Sequence, residues 1–181
     1  MRIISGTWRG KPIKVPPGLP IRPTTDIAKE ALFNILENRF DFDGIHCLDL
    51  FAGSGNISYE LISRGCPSVL AIDRDTLCCR FMKTIGLELN MEALKIVQSD
   101  VFKYLKGLRE KFDFIFADPP YDLPNAGKLV DEVQSLSLLK EGGLMVLEHP
   151  TLISHTHHAG YLETRVYGSS SFSFFNSALC P

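Results

Sequence analysis

The chain has 181 residues, is 45% hydrophobic and carries a net charge of −2. That suits one domain with a sizeable core and leaves no overall field that would advertise nucleic acid. The cysteines Cys47, Cys66, Cys78, Cys79 and Cys180 contain no Cys-x-x-Cys pair, no secretory apolar stretch opens the chain and no run approaches membrane length. A disulfide framework, a zinc site and a membrane span are therefore not expected, and a reducing cytoplasm is the expected compartment.

Charge is nevertheless unevenly placed. Arg2, Arg9, Lys11, Lys14 and Arg22 all precede Asp26, and no acid stands among them. Residues 1–24, mixing Gly, Pro and basic residues around Trp8 and Ile13, read as a basic arm or hairpin. Such an arm suits a phosphate-rich partner, and a solvated tail is the alternative. The main domain would span residues 25–181. It would open on a helix capped by Thr24 or Thr25, with Asp26 and Glu30 at its positive end and Ala28, Ala31, Leu32, Ile35 and Leu36 on one face.

From residue 45 onward, short apolar runs alternate with amphipathic stretches. The runs at 45–50, 69–72, 95–98, 112–117 and 144–147 predict strands; the stretches at 56–63, 75–89, 102–108 and 125–138 predict helices. That alternation implies an α/β fold with a parallel sheet covered on both faces. The runs at 164–167 and 172–176 predict a closing hairpin antiparallel to the rest.

Three acids end successive predicted strands. Gly53 and Gly55 follow the first strand, allowing a tight bend and close backbone approach beside a helix N-terminus. Ser58 stands where a dinucleotide fingerprint would have its third glycine, so a nicotinamide cofactor is a poor match. Asp49 beside that turn would repel a phosphate and welcome an ammonium. Asp73, about 20 residues on, can chelate ribose hydroxyls. Asp100 can meet an adenine amino group, with the Val101 amide facing the ring. Each acid taken singly is also an ordinary helix cap. Together they outline a pocket for a nucleoside bearing an amino acid end, the outline of S-adenosylmethionine.

The fourth strand runs into Asp118-Pro119-Pro120-Tyr121. An exocyclic amine on a nucleobase is a poor nucleophile, because its lone pair is delocalised into the ring. It must be aimed at its electrophile and relieved of hydrogens. Asp118 can accept one hydrogen, and the carbonyl of Pro119, its direction set by the rigid prolines, can accept another. Tyr121 can lie against the base. A strand-terminating turn is the plainer reading of this tetrapeptide. His149 could border the base or be a satisfied strand-end residue, and the segment from His155 to His158 reads as a solvated turn rather than a metal site.

Four stretches carry a family resemblance: residues 2–10, residues 22–26, Phe51-Ala52-Gly53-Ser54-Gly55 and the Asp118–Tyr121 tetrapeptide. The Tyr167-Gly168 turn before Phe172 fits as well. The chain resembles the RsmD family of bacterial 16S rRNA guanine-N2 methyltransferases, within the S-adenosylmethionine-dependent amino-methyltransferases. The resemblance implies a Rossmann-like class I methyltransferase sheet in the order 3-2-1-4-5-7-6 with strand 7 antiparallel, its ligands meeting at the topological switch. It implies methyl transfer to guanine N2 with S-adenosylhomocysteine as product, and 16S rRNA, free or in a partly assembled subunit, as partner of a monomer. Asp49, Phe51, Gly53, Gly55, Asp73, Asp100 and Val101 would hold the cofactor, and Asp118, Pro119, Pro120 and Tyr121 would act on the base. Arg2, Arg9, Lys11, Lys14 and Arg22 would contact RNA. The departures are Ile27, where a basic residue is usual, Asp73 in place of a longer acid, and Ser169 in place of an acid. Alternatives are a DNA adenine-N6 or cytosine-N4 methyltransferase and, outside enzymes, a cofactor-binding RNA chaperone or partner subunit.

Overall fold

The computed structural model describes residues 1–21, 25–121, 123–124 and 126–177. Helix α1 (Asp26–Glu37) precedes an alternating series: β1 (His46–Leu50), α2 (Asn56–Ser63), β2 (Ser68–Asp73), α3 (Thr76–Glu88), β3 (Leu94–Gln98), α4 (Val101–Gly107), β4 (Phe112–Ala117) and α5 (Lys128–Ser135). The long β5 (Leu139–Pro150) and the hairpin of β6 (Tyr161–Tyr167) and β7 (Ser170–Asn176) complete the fold. The seven strands form one sheet in the order β3-β2-β1-β4-β5-β7-β6. β1 to β5 are parallel, and β7 runs antiparallel to both β5 and β6. This is the class I methyltransferase topology.

Alternation along each central strand feeds two cores. Phe114 and Phe116 join Cys47, Val146 and the apolar faces of α1, α2 and α3, while Ile115 and Ala117 join Leu48, Leu50, Met145 and the faces of α4 and α5. Both faces are thus covered, which is why the parallel strands read as continuous apolar runs. Phe112–Ala117 and Asn56–Ser63 match their expected bounds.

The largest departures from the sequence-based expectation are at α5 and β5, and β6 and β7 also begin earlier than expected, at Tyr161 and Ser170. The helix expected over 125–138 spans only Lys128–Ser135, because Ser137 takes a left-handed φ of 51° and turns the chain. The strand expected from residue 144 begins at Leu139. It pairs Phe112 with Leu139, then shifts register to pair Phe114 with Leu144, a bulge accommodated by Gly142 at φ 72°. Thr25 caps α1 by accepting from the Ala28 amide at 3.2 Å, and Thr24 lies outside the described residues. Asp75 rather than Asp73 caps α3, with its Oδ1 accepting from the Leu77 and Cys78 amides.

The first residues are stitched to the domain. An antiparallel bridge joins Arg2 to Pro12, and Ile3 and Ile13 are buried in the core beneath it. Gly6 sits at φ 79°, where a Cβ would come within 1.7 Å of the Ser63 carbonyl oxygen. The buried Glu60 carboxylate of α2 accepts from the amides of Ile4 and Ser5 at 2.8 and 3.0 Å, and the buried Lys29 ammonium of α1 donates to the Arg2 carbonyl at 2.6 Å. Lys29 and Glu60 stand 3.3 Å apart.

Candidate active site

The site is built where β1 and β4, neighbours in the sheet though distant in sequence, deliver their C-terminal ends side by side. Leu50 is paired with Ala117, and the Asp118 amide donates to the Leu50 carbonyl at 3.3 Å. The glycine turn after β1 and the proline tetrapeptide after β4 therefore line one cavity of about 600 Å³. Asp49, Phe51, Gly53, Asp73, Asp118, Pro119, Pro120 and Tyr121 all contribute to its wall.

The turn itself is shaped by backbone geometry that few side chains tolerate. Phe51, Gly53 and Gly55 have φ of 60°, 54° and 80°. Gly55 caps α2, and a Cβ there would come 2.7 Å from the Tyr59 ring. Ser58 now has a reason to replace the third glycine. Its amide and hydroxyl both donate to Asp49 Oδ2, at 3.1 and 2.5 Å. Burial nevertheless pushes the Asp49 carboxyl up to about 7, against the pull of the Ser58 hydrogen bonds. A buried carboxylate poised near neutrality, in the wall of a cavity, is stabilised by a cationic ligand group.

Asp73 holds the turn in place: its Oδ2 accepts from the Gly53 amide and its Oδ1 from the Asp75 amide, both at 2.8 Å. Each oxygen keeps lone-pair capacity for a hydroxyl. Asp100 takes the ordinary role weighed for it, capping α4 by accepting from the Lys103 amide at 2.9 Å. Val101 is buried in the core beneath α4, and neither residue is part of the wall of this cavity. Leu19, Pro20 and Ile21 form a further wall that spacing and composition did not signal, with Ile21 Cγ2 3.2 Å from the point where a Gly53 Cβ would lie.

On the opposite side, Pro119 is buried while Tyr121 is exposed, its hydroxyl 2.8 Å from Ser170 Oγ of β7. That hydrogen bond anchors the phenol to the strand that closes the sheet. His149 is buried, with Nδ1 2.9 Å from the Pro150 carbonyl and Nε2 2.7 Å from Ser173 Oγ, so both ring nitrogens are satisfied within the protein. Among the described residues no group of three or more His, Cys, Asp or Glu could hold a metal ion, and no helix is long and apolar enough to cross a membrane.

The basic residues lie on the docked N-terminal segment. Arg2 pairs with Asp26 at 3.2 Å and Lys11 with Glu88 at 3.4 Å, whereas Arg9 and Lys14 are exposed. Arg22 falls outside the described residues.

Sheet order and the glycine turn after β1, facing the acid-proline platform after β4, define a class I methyltransferase. The chain belongs to the RsmD family: the family model described as Conserved hypothetical protein 95 matches residues 1–176. It is 36% identical to YlbH of Bacillus subtilis, over 82% of each chain. It is 31% identical to "Ribosomal RNA small subunit methyltransferase D" of Escherichia coli strain K12, over 82% of this chain and 71% of that one. Among solved structures, the hypothetical protein TTHA0928 of Thermus thermophilus superposes with a TM-score of 0.85 at 30% identity, covering 97% of this chain and 99% of that chain.

Proposed function

We propose that this protein transfers the methyl group of S-adenosylmethionine to the exocyclic N2 of a guanine in small-subunit (16S) rRNA, leaving S-adenosylhomocysteine. The observation that carries the reading is the convergence of Asp49 and Asp118 on one cavity, a cation-accepting carboxylate at the glycine end and a hydrogen-accepting carboxylate at the proline end. The family relationship supports the rRNA substrate.

The residues present fit the methyl donor. Asp49 would receive its ammonium and Asp73 its ribose hydroxyls, while the glycine turn allows close backbone approach. The donor supplies an electrophilic methyl group. The chain's own contribution is placement. Asp118 and the Pro119 carbonyl orient the amine by accepting its hydrogens, and Tyr121 offers a ring face to the base, a contact worth about 1–3 kcal/mol. Orientation of two bound reactants can supply up to about 7–11 kcal/mol, whereas proton acceptance contributes about 10²–10⁴-fold. Positioning accordingly contributes more than proton removal, and Asp118 stays ionised, accepting the proton of the amine only after the methyl group has moved. The base must leave its stack to reach this platform, as bases acted on by enzymes do.

In this reading residues 1–24 are a basic arm that grips RNA through Arg2, Arg9, Lys11, Lys14 and Arg22, and residues 25–181 form the catalytic domain. The protein acts as a cytoplasmic monomer on rRNA that is free or in a partly assembled subunit. The test is incubation with labelled S-adenosylmethionine and naked rRNA, partly assembled small subunits, or DNA, followed by digestion to nucleosides. Label in N2-methylguanosine from an RNA arm is expected. Label in N6-methyladenine or N4-methylcytosine from DNA, or none in any arm, contradicts the reading.

A further inference from the structure

The proline platform has a second side. Pro119, Pro120 and Tyr121 also line a neighbouring cavity of about 420 Å³, closed by the end of β5, the start of α5 and the segment 153–158. Two residues in its wall are conspicuous. Glu148 of β5 is only 4% exposed, and His155 only 5%. Neither ring nitrogen of His155 has a hydrogen-bond partner among the described residues. A buried imidazole in that state forfeits the hydrogen bonds it makes in water, which asks for a partner the protein does not itself supply.

The surrounding groups hold that ring without satisfying it. The His149 ring meets it edge-on at 4.6 Å, and the His158 ring lies 5.6 Å away. His149 spends both nitrogens on Pro150 and Ser173, and His158 turns Nδ1 to Asp131 at 2.7 Å. A Cβ on Gly127 would come within 3.0 Å of His155 Nδ1, so the absence of a side chain there leaves the ring its place. Burial, aided by the neighbouring histidines, pushes His155 down to about 4. The ring is therefore neutral near pH 7 and carries one N–H and one lone pair.

Resting on the methyl-transfer reading above, we propose that this second cavity receives the target guanine, with Glu148 accepting its N1–H and His155 donating to its O6. The pairing selects guanine by the polarity of one edge. Guanine presents a donor at N1, which a carboxylate accepts, whereas adenine presents a lone pair there, which a carboxylate repels; the neutral His155 ring can donate to O6 of guanine. Because N2 adjoins N1 on the same edge, a base so held presents its amine to the shared proline wall and to Asp118 beyond it. A carboxylate has about four lone-pair directions, so Glu148 can accept from the base alongside contacts within the protein.

The experiment uses an rRNA fragment whose methylated guanine is replaced by 2,6-diaminopurine, which keeps the 2-amino group but has a lone pair at N1 and an amine at C6. The unaltered protein should prefer guanine by about a hundredfold or more in kcat/KM, because reversed hydrogen bonds leave buried polar groups unpaired. Glu148→Gln, whose amide can donate to N1, should narrow that preference to under about tenfold. His155→Leu removes two unsatisfied nitrogens, so it should leave Tm unchanged or higher while KM for RNA rises and kcat stays within a few-fold. An unchanged guanine preference in Glu148→Gln, or a lower Tm with unchanged KM in His155→Leu, overturns the pocket while leaving the methyltransferase reading intact. Failure of the unaltered protein to methylate guanine overturns both.

Discussion

Asp49 shows how one side chain can carry both fold and ligand logic. Its burial raises the carboxyl to about 7, and the two Ser58 hydrogen bonds resist that rise. A carboxyl raised above its unfolded value of 3.8 favours the folded state when protonated, and that contribution is lost as pH rises through about 7. A cationic donor group compensates the charged form. Stabilisation by S-adenosylmethionine, read as the rise in Tm on adding it, should therefore be larger at pH 8 than at pH 6, and Asp49→Asn should abolish that difference. A pH-independent shift in the unaltered protein would remove the ammonium from this carboxylate. At this scale much was legible in the sequence, since the cavity gathers Asp49, Asp73 and Asp118 with the glycine turn. Asp100 was ambiguous for a physical reason: an acid after a strand and before a helix serves equally as cap or as ligand, and only the third dimension separates the two.

Among the elements, the α1–α2 contact and the N-terminal segment form one polar knot. Glu60 accepts from Ile4, Ser5 and Arg64 and pairs with Lys29, whose ammonium is pulled to lower pKa by burial and partly restored by Glu60. Breaking a buried pair from one side costs about 3–5 kcal/mol, because the surviving charge is left uncompensated. The two sides are unequal here. Glu60→Leu leaves the buried Lys29 charge without its counter-ion and two backbone amides without an acceptor, whereas Lys29→Met leaves Glu60 its two amides and Arg64 and takes a donor only from the neutral Arg2 carbonyl and Asn56 Oδ1. Denaturant unfolding should find Glu60→Leu the more destabilising of the two; the opposite order would mean that Lys29 holds the knot. None of this pairing was legible in the sequence, because Lys29 and Glu60 are separated by 31 positions (60 − 29) and each looks like an ordinary exposed helix charge. The elements themselves were legible where periodicity was unbroken, as in α2 and β4. They were misjudged at α5 and β5, where Ser137 and Gly142 take positive φ that apolar spacing does not encode.

At the scale of the whole molecule, alternation of strand and helix sufficed for a parallel α/β sheet, but not for the order of its strands. That order came from the family resemblance, and it is what brings the ends of β1 and β4 together. The basic segment, docked through Ile3 and Ile13, presents Arg9 and Lys14 to solvent in a chain whose net charge is −2. Replacing both by Ala should weaken RNA binding and lower the dependence of log K on log salt by about 0.7–0.9 per lost phosphate contact. An unaltered salt slope would make the segment a structural brace without an RNA role.

The most direct test of a methyl donor and a base meeting at the Asp118 platform is Asp118→Ala, assayed for single-turnover methyl transfer and for S-adenosylmethionine affinity on the same preparation. The account predicts a turnover loss of about 10²-fold or more with donor affinity within a few-fold. Lost donor binding with an unchanged rate at saturation would contradict it.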